Sequence, residues 1–142
     1  MLNEIHFELI KPCENQIAQL YELLKKRVHS ISHVDLPSYS EHSAFVFNHP
    51  YRAWYLVCTN GECIGAFYIT TENTVGINLL QHSVAGAGDK IIDYVLRKYS
   101  PLPALKSKRA GGFSINVSPE NNELIQLLKD RNAKLMQLSY AL

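Results

Sequence analysis

The stretch SVAGAGDK, residues 83–90, combines two glycines, Gly86 and Gly88, with the start of an apolar helical pattern. The first turn of a helix leaves backbone N–H groups without partners, and the helix dipole adds positive potential there. Small residues let a diphosphate approach these groups closely. The stretch therefore predicts an anion-binding site on the backbone amides of Val84 to Asp89. A tight turn into a packed helix is the alternative.

Two common phosphate-binding motifs do not fit this stretch. A dinucleotide-binding G-x-G-x-x-G motif would need a third glycine where Ile91 stands, and the preceding strand belongs to an antiparallel meander. A P-loop needs Gly-Lys followed by Ser or Thr, whereas residues 88–90 read Gly-Asp-Lys. Both motifs are therefore excluded.

Three side chains are candidate general bases, because carboxylates and imidazoles accept protons in the range where enzymes work. Glu72 ends a predicted hairpin strand, His82 adjoins the glycine stretch, and His42 lies in a short predicted helix. The alternative for each is an ordinary surface residue.

Cysteine and histidine spacing gives little sign of a metal site or a covalent nucleophile. His29 and His33 are four residues apart, but no third ligand accompanies them in a known pattern, so no metal site is predicted. Cys13, Cys58 and Cys63 are interpreted as reduced, partly buried thiols.

Two further polar stretches could contact a ligand. The basic residues of 106–109 could steer a phosphate group, or could form a solvated loop. Tyr51, Arg52 and Trp54 could line the pocket of a substrate, and Trp54 suits the core equally well.

These residues must be positioned by elements that the hydrophobic periodicity predicts. Strands are expected at 5–11, 53–59, 62–71, 74–80, 113–117 and 134–142, and helices at 14–28, after Ser40, from about Gly88 and from Ser118-Pro119. Asn60-Gly61 is a hairpin-turn signal, so residues 53–80 form an antiparallel meander. The order predicts one mixed α/β (α+β) domain spanning residues 1–142.

The overall composition excludes several partners. The formal net charge is +1 and charged residues make up 19%, which gives no nucleic-acid footprint. No apolar run approaches the roughly 18 residues of a membrane span, and the N-terminus lacks the pattern of a signal peptide. We therefore expect a cytoplasmic protein that binds neither nucleic acid nor membrane.

Taken together, the element order and three motifs resemble the GNAT superfamily of acetyl-CoA-dependent acetyltransferases. The motifs are the hairpin AWYLVCTNGECIGAFYIT, the loop SVAGAG and the tail INVSPENNELIQLLKDRNAKL. The resemblance implies a central, mostly antiparallel sheet of about six strands, helices on both faces, and fourth and fifth strands that splay apart. Within the superfamily, SYSEHSAFVFNHPYRAWYLV is similar to amino-sugar acetyltransferases and to the ribosomal-protein acetyltransferase branch.

This resemblance implies transfer of an acetyl group from acetyl-CoA to a primary amine on a small molecule, an amino sugar or a peptide. A catalytically silent acyl-CoA-binding domain is the alternative. The implied cofactor-binding residues lie on the fourth strand, the glycine stretch and the last helix: Asn78, Leu79, Leu80, Ser83, Val84, Ala85, Gly86, Ala87, Gly88, Asp89, Asn121 and Asn122.

Two positions depart from the family pattern. Ser83 stands where the family has Arg or Gln, and Leu128 stands where it often has the tyrosine that protonates the leaving thiolate. Tyr140 or another group would replace that tyrosine, or the thiolate leaves without a side-chain acid; Glu72 and His82 are the candidate bases. The C-terminal strand offers a pairing edge, so a monomer or a homodimer is expected.

Overall fold

The computed structural model describes residues 4–27, 36–80 and 82–142. Its elements, in chain order, are β1 (Ile5–Leu9), α1 (Glu14–Lys25), α2 (Tyr39–Phe47), β2 (Ala53–Thr59), β3 (Glu62–Ile69), β4 (Thr74–Leu79), α3 (Val84–Lys98), β5 (Ser114–Ile115) and α4 (Asn122–Asp130). The strands form one sheet whose order, β1-β2-β3-β4-β5, is also their order along the chain. β1 to β4 pair antiparallel, and β5 joins β4 in parallel. The predicted α+β fold with a mixed sheet is confirmed.

Helices cover both faces of the sheet. α1 and α2 pack on the face that carries Leu56 and Ala66, whereas α3 packs on the face that carries Val57 and Phe67. Because neighbouring strand residues point to opposite faces, a strand covered on both sides is buried at successive positions. β2 is accordingly buried at every residue except its last. Within the described residues, no helix combines the length and apolar character that a membrane span needs.

Three helices begin at residues other than those predicted. α2 is capped by Ser38 rather than Ser40, because Ser38 Oγ accepts from the Glu41 N–H while the Glu41 carboxylate accepts from the Ser38 N–H. α3 begins at Val84 rather than near Gly88, so the glycine stretch forms the first helical turn. α4 begins at Asn122 rather than at Ser118-Pro119 (residues 118–119), since Asn121 supplies the side-chain cap.

The predicted strand at 134–142 is absent. A strand needs a neighbour for its backbone groups, and this segment contains no regular structure and is exposed throughout. Its large apolar side chains are all exposed: Leu135, Met136, Leu138, Tyr140 and Leu142. The described residues therefore form five strands rather than about six. β5 is also shorter than the predicted 113–117, and α1 ends at Lys25 rather than at residue 28. His29 and His33 lie outside the described residues.

Asn73 joins the β3–β4 turn to the long loop that follows α3. The residue is fully buried, with a left-handed φ of 66°. Its side-chain amide donates to the carbonyl oxygens of Leu102 and Ala110, both at 2.8 Å, and its oxygen accepts from the Leu102 N–H at 2.8 Å. Its backbone carbonyl accepts from the Ser114 N–H at 3.0 Å. One side chain thus fixes where β5 meets β4.

Candidate functional site

β4 and β5 separate after a short contact. They pair only at Thr74–Ser114 and Val75–Ile115. β4 continues to Leu79, whereas β5 ends at Ile115. We call the opening beside residues 76–79 the β4–β5 gap; it is closed at Val75 and opens toward the start of α3.

The hydrogen bonds of β4 to β3 decide which backbone groups face this gap. Leu80 N–H donates to Ile64 O, and Thr70 N–H donates to Thr74 O, each at 2.9 Å. Since antiparallel pairing alternates, the even-numbered residues of β4 turn their backbone groups toward β3. The backbone groups of Ile77 and Leu79 therefore face the gap. Of the predicted strand residues, Leu79 has this position, whereas the backbone groups of Asn78 and Leu80 face β3.

The N-terminus of α3 lies directly after the open end of the gap. Ala87 N–H donates to Ser83 O at 3.1 Å, so the amides of Val84, Ala85 and Gly86 come before the first intrahelical bond. No side chain caps this end, and the first turn has no acidic residue. The positive end of the dipole is therefore not offset by a carboxylate of its own first turn.

Gly86 has no packing role within the described structure. It is exposed, and a Cβ built on it would have nothing within 4 Å. Gly65 and Gly76 are different: a Cβ would lie 2.3 Å from Asn78 O and 2.1 Å from Tyr68 Cζ, respectively. Glycine costs about 1 kcal/mol relative to alanine inside a helix, and no contact within the described residues requires glycine at position 86.

The later part of the glycine stretch serves packing and helix contacts. Ala87 is fully buried in the core, and Gly88 is buried as well. The Asp89 carboxylate accepts from Arg131 at 2.8 Å, and Asp93 also accepts from Arg131 at 2.8 Å. These contacts tie α3 to the end of α4. The sequence analysis missed Arg131, because nothing local in the sequence shows which helix it faces.

An apolar cluster lies beside the gap on the α3/α4 face. Its members are Ile77, Leu79, Ile92, Ile115, Val117, Leu124, Leu127 and Leu128. Leu128 is half-buried there and carries no proton donor. Asn121 uses its side-chain oxygen to cap α4, accepting from the Leu124 N–H at 3.3 Å, and Asn122 is exposed.

A polar and aromatic group lies on the opposite face of β4. The rings of Tyr51 and Tyr68 stack with centroids 4.0 Å apart, and Tyr68 lies against Gly76. Arg27 donates to the Asn78 side-chain oxygen at 3.2 Å. Burial raises the pKa of Tyr51 to about 12, Tyr68 adds to the rise, and the charge of Arg27 partly opposes it. Both faces of β4 beside the gap are thus lined, one by apolar and one by polar groups.

Two of the three predicted acceptor residues belong to this aromatic group. Trp54 is buried on the α1/α2 face, pairs with Tyr68 across β2 and β3, and has its ring centroid 5.0 Å from that of Tyr51. Arg52 instead donates to Ser100 O at 2.8 Å. Sequence reasoning missed Tyr68 and Arg27, which become neighbours only through strand pairing and the path of α1.

The candidate catalytic residues are spread over the molecule. Glu72 is exposed in the β3–β4 turn, beyond the closed end of the gap. His82 is exposed with a left-handed φ of 69° between β4 and α3, at the open end. The six residues of β4 lie between them, a separation of roughly 20 Å. Tyr140 is exposed in the C-terminal segment and is not brought to the gap.

His42 is a packing residue of α2 in this structure. It is buried, and its Nε2 donates to Ile17 O at 3.1 Å, in the tautomer that this contact requires. Burial lowers its pKa, and the bond to Ile17 partly opposes the shift. His42 is therefore enclosed against α1, with its Nε2 bonded to the backbone of that helix.

The basic loop lies at the far end of β4 from the α3 N-terminus. Arg109 donates to Thr71 O at 3.0 Å in the β3–β4 turn, and to Pro103 O at 2.7 Å.

Within residues 4–27, 36–80 and 82–142, no group of three or more His, Cys, Asp or Glu side chains could hold a metal ion.

No model of a protein family matches the sequence, and no curated protein sequence matches it. Solved structures match the fold across the chain. The aminoglycoside N-acetyltransferase AAC(6')-Iy, in complex with CoA, has a TM-score of 0.63 at 14% identity, covering 100% of this chain and 95% of that chain. The ribosomal-protein-alanine N-acetyltransferase from Brucella melitensis biovar Abortus 2308 has a TM-score of 0.64 at 11% identity, over 98% and 99%.

A transcriptional regulator from Bacillus halodurans C-125 is similar to the same extent, with a TM-score of 0.65 at 11% identity over 98% of this chain and 99% of that chain. The chain thus has the fold of the GNAT acetyltransferases, which confirms the fold that the resemblance implied. Since one fold supports several functions, the reaction must be argued from the site.

Proposed function

We propose that the chain is a single-domain N-acetyltransferase that takes its acetyl group from acetyl-CoA. The observation that carries the proposal is the β4–β5 gap opening onto the uncapped N-terminus of α3 at Gly86. The amides of Val84, Ala85 and Gly86 would hold the diphosphate. The free backbone edge at Ile77 and Leu79 would pair with the amide-containing arm, as an added strand pairs with a sheet edge.

The fit extends to the polarity of the two faces. The apolar cluster that includes Leu124 and Leu127 suits the aliphatic part of the arm. An arm that enters from the open end points its thioester toward the closed end, near Val75. The acceptor amine would then approach from the side of Tyr51 and Tyr68.

In this proposal the acetyl thioester supplies an activated carbonyl, and the chain's own groups position the amine and move protons. The backbone N–H of Ile77, the gap-facing residue next to the closed end, would polarise the carbonyl. Of the two candidate bases, Glu72 lies beyond the closed end and would accept the amine proton through water, whereas His82 lies at the open end beside the amides that would hold the diphosphate. Leu128 cannot protonate the leaving thiolate. Tyr51 or Tyr68, which lie beside β4, would donate the proton in place of Tyr140, which is exposed in the C-terminal segment; the alternative is that the thiolate leaves without a side-chain acid.

The acceptor class can be narrowed by experiment. The structural neighbours include an aminoglycoside acetyltransferase and a ribosomal-protein-alanine acetyltransferase, so amino sugars and peptides that begin with alanine are the first amines to test. A silent acyl-CoA-binding domain is the second candidate. It is favoured by Ser83, which stands where the family has Arg or Gln, and by Leu128, which stands where the family often has Tyr. Thiol release that requires an acceptor distinguishes the enzyme from the silent domain.

The test of the site is calorimetric titration with acetyl-CoA, and with CoA as the product control. Gly86→Glu places a carboxylate beside the diphosphate amides and should weaken binding at least about 10-fold, the effect of 1.4 kcal/mol. Gly112→Glu is the matched control, because a Cβ there also has nothing within 4 Å and the residue lies before β5. Equal affinities for the two variants and the wild type would overturn the proposal.

We further propose a homodimer acting in the cytoplasm. The exposed apolar C-terminal segment, 134–142, supports the dimer, because Met136, Leu138 and Tyr140 recur at the two-residue period of a strand. The free thiols support a reducing compartment.

A further inference from the structure

Two cysteines face each other across the β2–β3 hairpin. Cys58 and Cys63 are Cα partners on adjacent strands, at the point where the register shifts between Val57 and Cys58. Their Sγ atoms are 3.1 Å apart, and both thiols are free. One residue pair, Thr59 and Glu62, separates the two cysteines from the Asn60-Gly61 turn.

The backbone already brings the two side chains to disulfide distance. Directly opposed residues on antiparallel strands have Cβ atoms about 4.5–5.5 Å apart, and disulfides form at Cβ separations of about 3.5–4.5 Å. The two ranges meet, so the sulfurs need to close by only about 1 Å to reach the bond length of roughly 2.05 Å. The bulge beside Cys58 gives the strand local freedom for that shift.

The two thiols are unequal. Cys58 is buried and Cys63 is half-buried, so an external reagent reaches Cys63 first. Burial raises the pKa of Cys58 to about 12, and its hydrogen bond to Cys63 and the charge of Glu8 add to the rise. Cys58 therefore stays protonated at neutral pH, so the half-buried Cys63 is the thiol that reacts first.

We propose that Cys58 and Cys63 form a reversible cross-strand disulfide by exchange with a small-molecule disulfide such as oxidised glutathione. The Cys63 thiolate attacks one sulfur of the reagent, forming a mixed disulfide and expelling one thiolate. Cys58 then loses its proton and attacks the Cys63 sulfur, expelling the second thiolate. The protein loses two protons and two electrons, and the reagent becomes two thiols.

The position of the pair links it to the proposed cofactor site. Ile64, next to Cys63, accepts from the Leu80 N–H, and Leu80 O accepts from the Ser83 N–H at 3.0 Å. A bond between Cys58 and Cys63 would therefore fix the strand end that holds the residues leading into α3. The inference itself rests on the thiol geometry and does not depend on acetyl transfer.

The chain offers a direct readout of this bond. Glu62 separates the two cysteines, so cleavage after glutamate places Cys58 in the peptide 42–62 and Cys63 in the peptide 63–72. The folded protein is incubated with oxidised glutathione, its remaining thiols are blocked with N-ethylmaleimide at acid pH, and the digest is analysed by mass spectrometry. Cys13, which is exposed and distant in sequence, reports background reaction.

The expected result is a product in which the peptides 42–62 and 63–72 are joined, which dithiothreitol separates again. Cys63→Ser should abolish the joined product and leave Cys58 unmodified, while Cys13→Ser should leave the product unchanged. Two outcomes would overturn the proposal: a stable glutathione adduct on Cys63 without joined peptides, or joined peptides only after the protein has been unfolded in urea.

Discussion

The ring of Tyr68 occupies the space where a side chain at position 76 would project. A Cβ built on Gly76 would lie 2.1 Å from Tyr68 Cζ and 2.5 Å from its hydroxyl oxygen. The ring is held on its other side by the stack with Tyr51. Gly76 is therefore required by the neighbouring strand, and not by its own backbone conformation.

Gly76→Ala should destabilise the protein by about 1–3 kcal/mol, because the methyl group must displace a stacked ring. Thermal and urea unfolding measure the change. Gly86→Ala is the matched control: it has no atom within 4 Å of the new Cβ, and it should preserve stability or raise it by up to about 1 kcal/mol. Equal stability of the two variants would contradict the packing argument.

Asn73→Ala should cost about 3 kcal/mol, because it removes a fully buried side chain with three hydrogen bonds to the backbone of Leu102 and Ala110 and places a residue without a polar side chain at positive φ. Asn60→Ala isolates the second effect, since Asn60 also has positive φ, 52°, but is exposed in the hairpin turn. Asn60→Ala should cost about 1–2 kcal/mol. If urea unfolding gave the two variants the same loss, the hydrogen bonds of Asn73 would carry no net stability.

His42 should make stability depend on pH. Its folded-state pKa lies below the ordinary value of 6.5 because the residue is buried. The unfolded chain therefore binds more protons as the pH falls, so the stabilising contribution is present above pH 6.5 and is lost as the pH falls through the lowered pKa. His42→Gln keeps an Nε2 donor for Ile17 O without a titrating ring.

The free energy of unfolding of the wild type and of His42→Gln should be compared between pH 7.5 and roughly pH 5. The wild type should lose more stability than the variant over this interval. His49, whose pKa is also lowered by burial, is present in both proteins and cancels in the comparison. Parallel pH profiles would rule out His42 as the source.

Much of the fold follows from local patterns that the sequence displays. The hairpin at Asn60-Gly61 and the amphipathic stripe of α3 depend on neighbouring residues only, so periodicity and turn chemistry predict them. Other contacts join residues that are distant in sequence: the stacking of Tyr51 on Tyr68, the hydrogen bonds of Asn73 to Leu102 and Ala110, and the ion pair of Arg131 with Asp89. No local signal identifies such pairs, and the sequence therefore predicts the candidate acceptor face only in part, through Tyr51 and Trp54.

The C-terminal segment tests the proposed dimer. The wild type should be a dimer by light scattering, and a chain that stops after residue 133 should be a monomer, because the alternating apolar residues would no longer be available to pair with a sheet edge. Leu138→Asp should have the same effect. Leu96→Asp, an exposed leucine on α3, is the control and should leave the dimer intact. A monomeric wild type would refute the prediction.

The identity between strand order in the sheet and strand order in the chain has a consequence for biosynthesis. β2, β3 and β4 follow one another through short turns and pair in that order, so loop closure is short and this meander can assemble as residues leave the ribosome. β1 and β5 pair across connections that contain helices, and β5 reaches β4 only after α3 and the following loop have been made. The closed end of the gap is therefore expected to be among the last contacts completed in a newly made chain, and the meander among the first.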